Sequence, residues 1–284
     1  MRTRWIVLGL VLVACGCSAS EEREVVVGEQ HDASTESTGD EAQIAEASAE
    51  QSHEGGWDAE PDSAGQDADG SVPCPQDMQL VGTACMDLYE APNVAGALPL
   101  VMFQFDEASA WCEHRGKRLC FDDEWTWACE GPDQLSYPYG DVHDPGVCND
   151  DKPWIDYDQA LLNGWPWSMQ TEAIGSLQAL LEAVRAKGTA AAAAADHVEA
   201  LYQGTPAGSR AGCVGVEGVF DLTGNVEEWT RRRDGGEPGY HGKLKGRYWS
   251  EPRTCQMGVI GHGDGFRFYE IGFRCCRDAS VYEP

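Results

Sequence analysis

The stretch "DLTGNVEEWT", residues 221 to 230, carries the densest chemistry in the chain. Asp221 and Glu228 bracket a Gly-Asn turn, so two carboxylates stand at the ends of a short loop as if to hold something cationic, and Trp229 closes it with an aromatic wall. A second chemical resource is sulfur. Cysteines stand at 74, 85, 112, 120, 129, 148, 213, 255, 275 and 276, and an even number in an exported chain reads first as a disulfide framework. Zinc is the poorer reading. No CxxC pair occurs, and only three of the seven histidines lie near these cysteines. The basic run at 231 to 233 is the one cationic cluster and reads as an exposed loop. With no larger basic patch to neutralise phosphates, nucleic acid is not an expected partner.

The start of the chain says where this chemistry takes place. "MRTRWIVLGLVLVACGCSAS" has two arginines, then an apolar run from Trp5 to Ala14. That run is too short to span a bilayer, which needs about 20 apolar residues, but it has the layout of an export signal. "LVAC" resembles the lipobox of bacterial lipoproteins, which makes residues 1–15 a signal peptide and Cys15 the lipid-carrying residue; Cys17 fits the box less well. The expected partner at this end is a membrane, reached through lipid rather than through a spanning helix. The expected location is the cell envelope, outside the cytoplasm, where the ligand or protein partner would also be met.

Residues 16–73 read as an acidic tether. From 18 to 73 there are sixteen Asp or Glu, one arginine and almost no large apolar side chain, so the segment cannot bury enough surface to offset chain entropy. About half of the formal net charge of −28 sits there. Residues 74–284 are long enough for one core. Alternating apolar residues around a glycine turn predict a hairpin near its start, with Cys74 and Cys85 placed to close it. Two helices follow, one presenting Ala108, Trp111 and Cys112 on one face, the other Trp125, Ala128 and Cys129, with Asp122 or Asp123 as the second helix's cap. Aromatic turns "YPYGD" and "NGWPWS" lead to a helical insert at about 160–202, a hairpin broken at Gly188. Its six-alanine run has high helix propensity but little to bury, so it reads as a spacer. After Cys213, short aromatic and β-branched segments between glycines predict a small antiparallel sheet. The class is α+β.

Taken in order, "CPQDMQLVGTACMDLYEAPN", "AWCEHRGKRLCFDDEWTWACEG", "YPYGD", "GVFDLTGNVEEWT" and "EIGFRC" resemble the domain of the formylglycine-generating enzymes, or sulfatase-modifying factors. The resemblance implies a C-type-lectin-like fold, low in regular secondary structure, with function on its loops. It also implies the disulfides Cys112–Cys275 and Cys129–Cys255. Proximity and elimination add Cys74–Cys85, Cys120–Cys276 and Cys148–Cys213, and an exchange of Cys275 with Cys276 stays open.

The family's calcium ligands map onto Asp221, Gly224, Val226 and Glu228, through side-chain and carbonyl oxygens. Structural calcium is therefore an expected cofactor, against a metal-free turn with Glu228 solvated. A second calcium site would use Asn149 and Asp150, although the insert interrupts its remaining ligands. Copper is not expected. Family members that act on sulfatases carry a copper-binding cysteine pair after an "RGGS" strand end; here Lys245, Gly246, Arg247 and Tyr248 stand at that strand end, and Glu251 and Gln256 hold the cysteine positions. Cu(I) needs soft thiolates. The chain is thus expected to bind a ligand or partner without chemistry, on loops around Trp249, Glu251, Arg253, His262 and Arg267. The alternative is an oxidoreductase or other protein-modifying enzyme with an altered metal centre built from Glu251, His262 or Asp264.

Overall fold

The computed structural model describes residues 74–279. Cys15 and the predicted signal peptide and tether lie outside the described residues. The first hairpin pairs β1 (Met78–Val81) with β2 (Ala84–Asp87), turning at Gly82 with φ +58°. Helix α1 (Phe105–Glu113), strand β3 (Arg118–Leu119) and helix α2 (Asp122–Glu130) follow. Each helix buries the face its spacing predicts: Ala108, Trp111 and Cys112 on α1, Trp125, Ala128 and Cys129 on α2. The cap of α2 differs from expectation. Phe121 is the N-cap, and Glu124 reaches back so that its Oε2 accepts the Phe121 amide at 2.9 Å. Asp122 lies inside the first turn, and its carboxylate is taken by Lys243 and the Arg233 amide.

Strands β4 (Glu227–Arg231), β5 (Gly242–Lys245), β6 (Gly258–Val259), β7 (Ile271–Phe273) and β8 (Cys275–Asp278) complete the fold. They do not form the single antiparallel sheet expected. Two four-stranded sheets result, in the orders β1-β2-β8-β3 and β6-β5-β4-β7, and β4 runs parallel to β7. The chain changes sheet at Arg274, between β7 and β8. A residue at such a crossing belongs to neither ladder, so its side chain is free to bridge the layers.

All ten cysteines from 74 onward pair as Cys74–Cys85, Cys112–Cys275, Cys120–Cys276, Cys129–Cys255 and Cys148–Cys213. The neighbours Cys275 and Cys276 point to opposite faces of β8, as strand geometry requires. One therefore ties the sheet to α1 and the other to the segment before α2.

The insert holds α3 (Gln159–Leu162), α4 (Leu177–Arg185) and α5 (Thr189–Leu201), with the break at Gly188. The spacer reading is corrected here. Ala191, Ala194 and Ala195 are buried together with Leu180, Leu181, Val184 and Val198, in the same cluster as Trp111 and Trp229. Alanine has a short side chain, so the run lets helices approach closely: a Cβ on Gly164 would stand 2.4 Å from the Ala190 carbonyl. Polar bonds tie both ends down, from Trp111 Nε1 to the Ile174 carbonyl at 2.8 Å and from the Tyr202 hydroxyl to the Pro99 carbonyl at 3.2 Å.

Candidate functional site

The 221–228 turn is a knot of buried charge. Arg274, fully buried at the sheet crossing, donates from Nη2 to Glu228 Oε1 at 2.6 Å and from Nε to Glu228 Oε2 at 2.7 Å. Trp125 Nε1 donates to the same Oε2 at 3.0 Å. Glu228 is therefore neither solvated nor free to close a cation shell, as either sequence reading required. Asp221 takes φ +57°, and its Oδ2 accepts the Gly208 amide at 2.7 Å. Burial raises the Asp221 carboxyl to about 6 and lifts Glu90 well above the usual range, with Asp221 itself adding to the effect on Glu90. Three carboxylates thus share one guanidinium.

Asn149 and Asp150 dock onto this turn. The Asn225 amide donates to the Asn149 carbonyl at 2.8 Å, and the fit is close enough to demand glycine at 224. Gly224 has φ +74°, and a Cβ there would stand 2.5 Å from that same oxygen. Asn225 links the two sides, donating from Nδ2 to Glu90 Oε1 and accepting from Asn149 Nδ2. Three oxygens in this region are buried without a partner: Glu90 Oε2, Asn149 Oδ1 and Asp150 Oδ1. A hard, oxygen-seeking cation is what such atoms suit. Unpartnered oxygens are thus offered by Asn149, Asp150 and Glu90, while both Glu228 oxygens are taken by Arg274. Glu90 escaped the sequence reading, because a lone acid after an aromatic strand carries no spacing signal.

Around Glu251, where the resemblance placed a cysteine of the copper pair, lies an ionic lattice. Arg253 Nη1 meets Glu227 Oε1 at 2.5 Å, Arg247 Nη1 stands 3.7 Å from Glu227 Oε2, and Arg247 also holds Glu251. Burial, with Glu227 alongside, raises Glu270 to about 8. Lys245 is buried, donates to the Cys255 carbonyl at 2.6 Å, and is lowered to about 7 chiefly by that burial. Gln256 is bound to Glu130, and Cys255 is in its disulfide.

The expected ligand loops separate. Trp249 is core, packed among Tyr202, Tyr248 and Tyr269. Arg253 is spent on Glu227. His262 stacks on Phe266 at 3.9 Å between ring centroids, while Asp264 holds His241, Oδ2 to Nδ1 at 2.6 Å. Glu251, His262 and Asp264 are thus committed to three different neighbours. Among the described residues no group of three or more His, Cys, Asp or Glu is placed to hold a metal.

Arg267, one of the expected ligand residues, lines a cavity. That cavity, of about 290 Å³, lies between the first turn of the insert and the 265–268 loop and is walled by Trp165, Trp167, Phe266 and Phe268, with Gln159 and Asn163 at its rim. Arg267 is pinned by Glu107 at 3.3 Å and by the Trp167 carbonyl. Trp167 leaves 78% of its surface exposed. The "NGWPWS" turn gave the only sequence signal for this site, as clustered tryptophans with no hydrophobic periodicity to bury them.

The sulfatase-modifying factor enzyme 1-like domain family matches residues 29–279. The chain belongs to that family. The fold is accordingly that of the formylglycine-generating enzymes, mixed helix and sheet with little regular secondary structure. Among solved structures the chain is similar to CarF, at 13% identity over 69% of this chain and 87% of that one, with a TM-score of 0.43. It is also similar to PvdO from Pseudomonas aeruginosa, at 15% identity over 69% and 80%, TM-score 0.39. The U1 variant of the major tropism determinant matches at 14% identity over 73% and 54%, TM-score 0.40. Comparison with curated proteins gives no match.

Proposed function

We propose that this chain is a lipid-anchored envelope protein whose domain binds a ligand and does not make formylglycine. One observation carries the reading: every cysteine from 74 onward is bonded to another cysteine. A disulfide sulfur offers no thiolate to Cu(I), and Glu251 and Gln256 at the family's cysteine positions offer only hard oxygen and amide donors. The altered-centre alternative has less support, since Glu251 is held by Arg247 and Asp264 by His241.

Binding has a place to occur. The cavity beside Trp167 combines exposed aromatic faces with a few fixed polar groups, which is the composition of a small-ligand site. Structural calcium belongs to the same reading and would be held by Asn149, Asp150 and Glu90. It would supply positive charge to a turn whose carboxylates outnumber its one arginine.

The test uses the mature protein in two arms. Incubated with Cu(I), oxygen and a sulfatase-motif peptide, it should give no aldehyde above the metal-only control; aldehyde above that level overturns the reading. Screened against glycan and peptide panels, it should retain at least one ligand class that Trp167→Ala loses. Binding indifferent to Trp167→Ala would place the site elsewhere.

A further inference from the structure

A second cavity, of about 450 Å³, opens at the end of β4 and shares no lining residue with the aromatic site. Its walls are Phe105, Phe121, His241 and the three consecutive arginines 231, 232 and 233. The basic run is only in part the exposed loop its sequence suggests: Arg231 ends a strand, Arg231 and Arg232 are half-buried, and Arg233 is exposed in a turn. Arg231 ends β4, its amide bound to the Cys120 carbonyl at 2.8 Å, and the Arg232 amide is bound to the His241 carbonyl at 2.9 Å. Backbone pairing on both sides fixes where these side chains start.

The four basic groups are not equivalent. Arg232 forks onto Asp234 from Nε at 2.9 Å and Nη2 at 2.7 Å. Arg233 is held by Asp123 and Glu124, and its guanidinium lies 3.6 Å from the centre of the Phe121 ring, whose orientation Arg118 also fixes at 4.7 Å. His241 pairs Nδ1 with Asp264, stacks beside Phe105 at 6.4 Å, and among the described residues has no partner at Nε2. Arg231 differs: among the described residues its guanidinium meets no carboxylate and no carbonyl. One uncompensated cation therefore faces a cavity whose other walls are two fixed aromatic rings and charges already neutralised.

We propose that this cavity binds a small organic oxyanion, with its carboxylate, sulfate or phosphate group forked onto Arg231 and its flat or apolar body against Phe121 and Phe105. A planar guanidinium matches two oxygens of one such group, which an ammonium does not. The volume lies in the range of small-molecule sites. A polyanion is the wrong guest. The chain carries a formal net charge of −28, and its field repels extended negative charge while a single pocketed cation still holds one anionic group.

Titration calorimetry of the mature protein with benzoate and phenyl phosphate tests this, with benzamide as the neutral isostere and inorganic phosphate as the ringless one. At least one aromatic anion should bind about tenfold more tightly than both controls, a difference of about 1.4 kcal/mol. R231Q should erase that preference while leaving the melting temperature unchanged. If R231Q does not fold, R231K keeps the charge without the fork and should still bind the anion several-fold more weakly than the wild type. The proposal is overturned if benzamide or inorganic phosphate binds as tightly as the aromatic anions, if neither aromatic anion binds, or if the Arg231 variants bind as the wild type does.

Discussion

Arg274 and Glu228 show how one residue pair redirects a site. Read along the chain, Glu228 looks like the closing ligand of a cation loop, because Asp221, Gly224 and Val226 stand before it at the family's spacing. Spacing does not reveal that Arg274, 46 residues further on, arrives at the same point. Breaking a buried pair by removing one charge typically costs about 3–5 kcal/mol, because the remaining charge stays buried without compensation. Glu228→Gln should therefore lower the melting temperature equally in calcium and in chelator. Asp150→Asn should behave differently, since Asp150 Oδ1 is one of the buried unpartnered oxygens, with those of Asn149 and Glu90. An ion bound only by the folded state stabilises by mass action, so this variant should lose stability in calcium and little in chelator. Differential scanning calorimetry of both variants in the two buffers checks the pair of expectations, and equal losses for Asp150→Asn would mean that Asp150 holds no ion.

At the scale of elements, local patterns were legible and long-range pairing was not. The apolar faces of α1 and α2 follow from helical spacing, and the first hairpin from alternation around Gly82. The parallel pairing of β4 with β7 joins segments about forty residues apart in sequence, and three-residue strands such as β7 carry no periodicity to announce a partner. The insert failed for another reason. Alanine counts as weakly hydrophobic in a pattern, yet Ala191, Ala194 and Ala195 are buried because their size permits close helix packing. That packing makes the insert part of the main core. Leu181→Ala, on α4 and buried against it, should cost about 2–5 kcal/mol, the usual range for truncating a core leucine. The loss should appear as one lowered cooperative transition of the whole domain in thermal unfolding. A separate early transition of the insert, with the remainder melting as before, would show the helices to be an autonomous appendage after all.

At the scale of the whole molecule, acidic charge is concentrated ahead of the folded domain. Residues 18 to 73 carry about half of the formal net charge of −28. Ahead of them stand two arginines, an apolar run too short to span, then "LVAC". A single acyl chain binds a membrane only marginally, and two or more make the attachment stable, at about 0.8 kcal/mol per buried CH₂. Cys15 is thus expected to be the mature N-terminus and to carry several chains. Mass spectrometry of the N-terminal peptide from membranes of the producing cell should show a start at Cys15 with acyl mass added, and Cys15→Ser should leave the signal uncleaved at this position and the acyl mass absent. Acylation on Cys17, or an unmodified peptide starting elsewhere, would refute this assignment.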